Sequence, residues 1–498
     1  MSIPIELIDQ NPWWRTKSAI NADKDIRILR KAKVRWQPRL KYRFEWDKDI
    51  IYTLRGPRQV GKTTLVKEMI RERLATEDPR RVFYYTCDLV DNPRELANVL
   101  SAYIDSIPKR KKRAYIFLDE ISSVRDWQKG VKHLADTGRF QNTTVILTGS
   151  HSIDIKGASE RLPGRRGISD NPPDKILLPM KFAEYVETLN PEIRAVIVRL
   201  LLLQWEFRRD VILALFKGEI PEEVREIALY GKELSRLLRD YLITGGMIRV
   251  LNEYVEKREI GESTYKVFVD SVLGDLSKWG KRDTYVRQIV SRVIDTLGNP
   301  VSWNTLRDGT DVASHITAAE YVDYIADTFA MLYVHRLDTS RNGPAFQKEK
   351  KIYFHDPYFF HAFRAWSKGG DAYSDSIDFL RDERNLATLL EGVVADHMIR
   401  LCFAFSKQKH LFEYRNALFY WKSRKDREVD FVLRQFGSKY LPLELKYQKN
   451  ITREDRFGLI DFSKVATSKT SGLILSRDRL EVKGKVVVVP VWLFLILV

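Results

Sequence analysis

The run Gly56-Pro57-Arg58-Gln59-Val60-Gly61-Lys62-Thr63-Thr64 has the residue types and spacing of a phosphate-binding loop. Gly56 and Gly61 free backbone N–H groups to wrap phosphates. Lys62 reaches the β- and γ-oxygens, and the Thr63 hydroxyl is placed to ligate Mg²⁺. A hydrolase needs a second piece, and Asp119-Glu120 supplies it: Asp119 is expected to hold the Mg²⁺ shell and Glu120 to orient and deprotonate the attacking water. The expected cofactors are therefore ATP and Mg²⁺. Thr148, Gly149 and Ser150 form a third piece, where a hydroxyl would sense the γ-phosphate or the water; small polar residues also simply end strands. Beyond them Arg161, Arg165 and Arg166 are candidates for an arginine finger acting on a neighbouring subunit of a homo-oligomer, or for solvated or nucleic-acid-contacting loop residues.

A different chemistry is raised by Glu428 to Tyr447, which alternates apolar and polar residues on both sides of a Gly-containing turn and so reads as a β-hairpin. The period of two puts Glu428 and Asp430 on one face and repeats the pattern with Glu444 and Lys446. Such a face is either the acidic cluster of a metal site or a solvated sheet surface.

These residues need elements to hold them. An apolar strand precedes the Gly56 loop and an amphipathic helix follows it. Tyr115–Leu118 reads as a buried strand ending at Asp119, and "TTVIL" as another ending at Thr148, the edge at which parallel sheets bind ligands. "KRKKR" at 109–113 lies at the opposite edge. From 191 to about 259 the pattern is helical, including a buried helix through "RLLLLQWEF", and reads as a lid. From 284 helices are followed by the hairpin 334–356, the order of a winged helix. Its third helix carries Glu320, Asp323 and Asp327, which phosphates repel, so Arg341, Lys348, Lys350 and Lys351 of the hairpin are the candidates for a DNA backbone. His355 and His361, among aromatics, read as core or rim histidines. The apolar ending "VVVVPVWLFLILV" is too short to span a bilayer and reads as a closing buried strand.

At 498 residues the chain exceeds one core, and its net charge of +17 fits a polyanionic partner, DNA above all. A protein partner is the rival expectation, and no membrane is expected. Two cysteines exclude a disulfide framework, and with no signal peptide in "MSIPIELIDQNPWWR" the expected location is the cytoplasm.

Together Asn11-Pro12-Trp13-Trp14, "GPRQVGKTT", "FLDEIS", "TGSHS", "RLPGRRG", "TGGMIRV", "YFHDPYF" and "WKSRKDREVDFVL" resemble the prokaryotic, notably archaeal, family of AAA-like P-loop ATPases with a C-terminal winged helix and a PD-(D/E)xK restriction-endonuclease-like domain. The resemblance implies an α/β multidomain chain: an N-terminal arm at 1–49, an AAA-like parallel-sheet core at 50–190, a helical lid at 191–265, a winged helix at 266–354, a connector at 355–385 and a nuclease-like domain at 386–498. It also implies that Asp430 is the acidic metal ligand, Glu444 and Lys446 the E-x-K pair, and Glu391 the helical carboxylate, a site for metal-dependent cleavage. E-x-K alone is uninformative, because Glu349–Lys351 and Glu481–Lys483 show it too.

Overall fold

The computed structural model describes residues 5–107, 112–149, 162–435, 439–466 and 472–498; Ser150, Arg161 and residues 109–111 lie outside them. The chain divides into two compact units, Met1–Leu178 and Pro179–Val498.

In the first unit the apolar runs form β1 (Ile51–Arg55), β2 (Val82–Thr86), β3 (Ala114–Asp119) and β4 (Thr143–Thr148), joined by β5 (Asp174–Ile176). All pair in parallel, in the order β2-β3-β4-β1-β5. Strands covered on both faces must be apolar throughout, and all six residues of β3 and of β4 are buried. Because β4 lies between β1 and β3, with Leu54 beside Thr148 and Leu118 beside Leu147, the loop after β1, Asp119 and Thr148 emerge at one edge.

The outer strand β2 would expose a row of backbone groups, and the expected N-terminal arm covers them. Asn11 accepts from the Tyr84 N–H through Oδ1 (2.7 Å) and donates through Nδ2 to the Tyr84 carbonyl (2.8 Å). Gln10 accepts from the Thr86 N–H at 2.8 Å, and the Trp13 and Trp14 indoles donate to the Val82 carbonyl at 2.9 and 3.1 Å. Side chains thus stand where a further strand would pair.

In the second unit the remaining strands are β6 (Met331–Asp338), β7 (Gly343–Pro344), β8 (Lys350–Phe354), β9 (Leu418–Lys422), β10 (Glu428–Arg434), β11 (Tyr440–Leu445), β12 (Leu473–Ser476), β13 (Glu481–Lys483) and β14 (Val486–Pro490). Among the described residues they make one nine-stranded sheet, β13-β14-β12-β11-β10-β9-β6-β7 with β8 on β6.

Several expectations are corrected here. The helices of 191–265, expected as a lid, belong to the compact unit that starts at Pro179. The "RLLLLQWEF" helix is broken: Pro191–Arg199 ends, Leu201 takes a left-handed φ of 55°, and a new helix runs Trp205–Lys217. The helices Asp283–Asp295, Trp303–Arg307 and His315–Asp327 and the antiparallel pair β6–β8 appear in the expected order, but β6 also pairs in parallel with β9 (His335 beside Phe419), so 266–354 and 386–498 share a sheet. Lys350 and Lys351, candidates for phosphate contact, are 3% and 1% exposed; Arg341 and Lys348 remain at the surface. The closing apolar run is a strand only to Pro490, after which Val491–Leu497 is a buried helix, since proline cannot donate to a continuing ladder. Among the described residues no helix is long and apolar enough to cross a membrane.

Candidate functional site

The loop after β1 is shaped by its glycines. Gly61 has φ 101°, and Gly56 has φ 151° with the Leu177 carbonyl where a Cβ would be, 2.0 Å away. The helix Lys62–Thr76 starts directly from Gly61, so its free N–H groups face the loop. Lys62 is buried and donates from Nζ to the carbonyls of Gly56 (2.9 Å) and Pro57 (3.0 Å), which fixes its ammonium over the loop. Gln59 also takes a left-handed φ, 62°, so that the chain from Pro57 to Val60 curls back on itself.

Asp119 is 3% exposed, and burial pushes its carboxyl up while a hydrogen bond from Thr63 pulls it down, leaving it above the ordinary value. Asp119 and the Thr63 hydroxyl are the hard-oxygen donors expected around Mg²⁺, and a buried carboxylate at this edge fits such an ion. Glu120 follows in a left-handed turn, φ 51°, with its N–H donating to Asp119 Oδ1 at 3.2 Å. Thr148, 1% exposed with a hydroxyl that has no hydrogen-bond partner among the described residues, stands between β1 and β3.

Sequence reasoning missed the support beneath Asp119. Tyr84 donates from its hydroxyl to Asp119 Oδ2 at 3.1 Å, the Lys67 ammonium lies 3.4 Å from the centre of the Tyr84 ring, and Asp23 pairs with Lys67 at 3.2 Å. Nothing in the "VFYYT" strand distinguishes Tyr84 from its neighbours, so only the pairing of β2 with β3 reveals it.

Arg165 and Arg166 are not brought to the loop. Arg165 pairs with Asp136 at 2.5 Å in a cleft with Asp49, Ile51 and Phe140, at the starts of the strands. Arg166 donates to the Ile51 carbonyl (3.1 Å), Thr53 (3.2 Å) and Asp174 (2.9 Å), tying β1 to β5.

In the second unit the expected hairpin is present as β10 and β11, and Phe431 beside Leu443 sets Asp430 next to Glu444. Its acidic face is not solvated: Asp430 and Glu444 are 8% and 5% exposed. What fills the space is Lys351 of β8. Its Nζ lies 2.5 Å from Glu428, 2.8 Å from Glu391 on the helix Glu383–Phe405, and 2.9 Å from Asp430. Tyr353, on the same face two residues on, donates to Glu391 at 2.6 Å, and Asp430 accepts the Leu445 N–H at 2.9 Å.

Charges follow this arrangement. Burial raises Asp430, but Lys351 and Lys446 outweigh it and hold the carboxyl below its ordinary value, whereas burial and the neighbouring Asp430 charge push Glu444 well up. Lys446 pairs with Glu444 at 2.6 Å, and Glu444 Oε2 has no hydrogen-bond partner among the described residues. Among those residues no group of three or more His, Cys, Asp or Glu side chains is arranged to hold a metal ion. The acids expected to bind metal do not fit one, because an ammonium already bridges them.

His355 and His361 are core histidines, as expected. His355 pairs with Asp396 at 2.9 Å, and His361 lies 2.9 Å from the Leu242 carbonyl.

Comparison with known proteins agrees with the first unit's geometry. Residues 48–186 match the model of an AAA domain family, while 235–369 and 387–494 match two domains of unknown function, DUF8612 and DUF4143. An uncharacterized protein of Methanocaldococcus jannaschii, MJ1637, is 24% identical over 91% of this chain and 86% of its own length. One from Haemophilus influenzae is 20% identical over 62% of this chain and 67% of its own. Among solved structures, the Walker-type ATPase of Pyrococcus abyssi aligns with a TM-score of 0.38 and 15% identity, over 63% of this chain and 91% of that one. The first unit has the P-loop, AAA-like ATPase fold.

Proposed function

We propose that the chain is a Mg²⁺-dependent ATPase that hydrolyses ATP to ADP and phosphate and that acts on, or is regulated by, nucleic acid, with DNA favoured. The observation that carries the hydrolytic reading is that buried Asp119 emerges at the sheet edge where the Gly56–Lys62 loop also opens, with Lys62 fixed over that loop. In this reading the loop N–H groups and Lys62 bind the β- and γ-phosphates, and Thr63 and Asp119 hold the Mg²⁺, which neutralises phosphate charge. Glu120 takes the proton of the attacking water, and Thr148 orients the water or the γ-phosphate. The net charge of +17 supports a polyanionic partner.

A second reading is an ATP-dependent switch that binds a protein partner through a nuclease-like region without cleavage. Lys351, lodged among the acids that cleavage would need, favours it.

Steady-state hydrolysis tests the first reading. Glu120→Gln is expected to lose about 10²- to 10⁴-fold in rate while retaining ATP binding, and Lys62→Ala to lose binding. Hydrolysis by Glu120→Gln at the unaltered rate would refute the assigned base. DNA affinity that falls steeply with salt, with hydrolysis altered by DNA, supports the nucleic-acid partner. Indifference of both to DNA gives the second reading the lead.

A further inference from the structure

We propose that the Lys351 ammonium is a built-in replacement for a metal ion: it occupies the cation position of the Glu391, Glu428 and Asp430 cluster, and its removal turns that cluster into a divalent-cation site. This inference goes beyond the ATPase reading and is independent of it, because neither the site nor its test involves the nucleotide.

The geometry is that of a coordinated cation. Lys351 Nζ sits 2.5–2.9 Å from oxygens of three carboxylates that arrive from separate places, Glu391 from a helix and Glu428 and Asp430 from β10. The ammonium donates hydrogen bonds to Glu391 and Asp430 and pairs ionically with Glu428. Its side chain is 1% exposed, so it is not a surface lysine that swings away. The remaining surroundings hold the acids in place without it: Tyr353 grips Glu391 at 2.6 Å, and the Leu445 N–H grips the second oxygen of Asp430 at 2.9 Å. A further, independent observation points to cation chemistry nearby. Glu444, beside Asp430, buries an oxygen with no hydrogen-bond partner among the described residues. Oxygen donors of this number suit Mg²⁺ or Mn²⁺ once the ammonium is gone, since hard divalent ions take carboxylates as ligands.

An uncompensated cluster of one buried and two half-buried carboxylates is unfavourable, because charges withdrawn from water need a partner. Lys446 acts on Asp430 from the side of Glu444, so the charge at the centre of Glu391, Glu428 and Asp430 is supplied by Lys351 in the native chain and, on this reading, by a divalent cation in its absence. Lys351→Met keeps the apolar stem and removes the charge.

The test is Mn²⁺ binding to the nucleotide-free full-length chain, read by loss of the free Mn²⁺ electron paramagnetic resonance signal and by thermal unfolding. The unaltered chain is expected to take up no Mn²⁺ that depends on Asp430. Lys351→Met is expected to bind a Mn²⁺ ion, to be stabilised by it, and to lose both properties on adding Asp430→Asn; Lys351→Arg, which keeps a cation, should behave as the unaltered chain. A folded Lys351→Met that binds no more Mn²⁺ than the unaltered protein overturns the proposal. So does Mn²⁺ bound by the unaltered chain and released by Asp430→Asn, which also remains decisive should Lys351→Met fail to fold with or without Mn²⁺.

Discussion

Asn11 makes the central contacts that cover the outer edge of the N-terminal sheet. It is fully buried, and its amide makes two bonds to the backbone of Tyr84 (2.7 and 2.8 Å) and one to the Leu7 carbonyl (2.8 Å). Asn11→Leu keeps most of the volume and removes all three. The Tyr84 N–H and C=O are then left without their partner, at about 1–3 kcal/mol for each buried unsatisfied group, so the expected loss is about 2–5 kcal/mol. Entry of water at the edge favours the lower part of that range. The assay is urea-dependent hydrogen exchange on peptides covering Val82–Thr86, which isolates this edge from the second unit. Asn11→Ala should lose at least as much, having a cavity besides. Should Asn11→Leu fall within about 0.5 kcal/mol of the unaltered protein, the edge is not held by these hydrogen bonds and the reasoning fails.

Gly246→Ala should disrupt the second unit by about 3 kcal/mol or more, because its Cβ would stand 2.0 Å from the Met180 carbonyl oxygen with backbone on both sides; a midpoint of urea unfolding unchanged from the parent would contradict this. Burial pushes His361 down to about 4 and His397 down to about 3. The folded chain thus refuses protons that the unfolded chain takes below about 6.5, so each histidine contributes stability above that pH that is lost at about 1.4 kcal/mol per pH unit towards pH 4. Asp356, which burial pushes up to about 7, works in the opposite sense over much of the window, since its folded form keeps a proton the unfolded form has released. His361→Gln should flatten the fall in unfolding midpoint between about pH 6.5 and 4.5; a slope equal to that of the parent would show that His361 is not the titrating group.

The loop at Gly56–Thr63 and the Asp119-Glu120 pair were legible because their chemistry is local: a strand, a turn of fixed spacing and a helix lie in one contiguous run. The hairpin at Glu428 was legible from its alternation for the same reason. Lys351 was not, because its meaning comes from β6 pairing with β9 across more than eighty residues, and no period in the sequence encodes that. Tyr84 was hidden likewise by needing the β2–β3 register. The closing run failed for a different reason: "VWLFLILV" is apolar at every position, so it carries neither a period of two nor one of 3.6, and complete burial permits helix or strand alike.

The shared sheet of the second unit also constrains how this stretch can be inherited. A recombination breakpoint between residues 355 and 383 would part β8, with its lysine, from the helix and strand that bring the three acids. One descendant would leave Lys351 without its carboxylates, the other the carboxylates without their ammonium. A substitution at 351 is therefore expected to change the surroundings of 391, 428 and 430 directly.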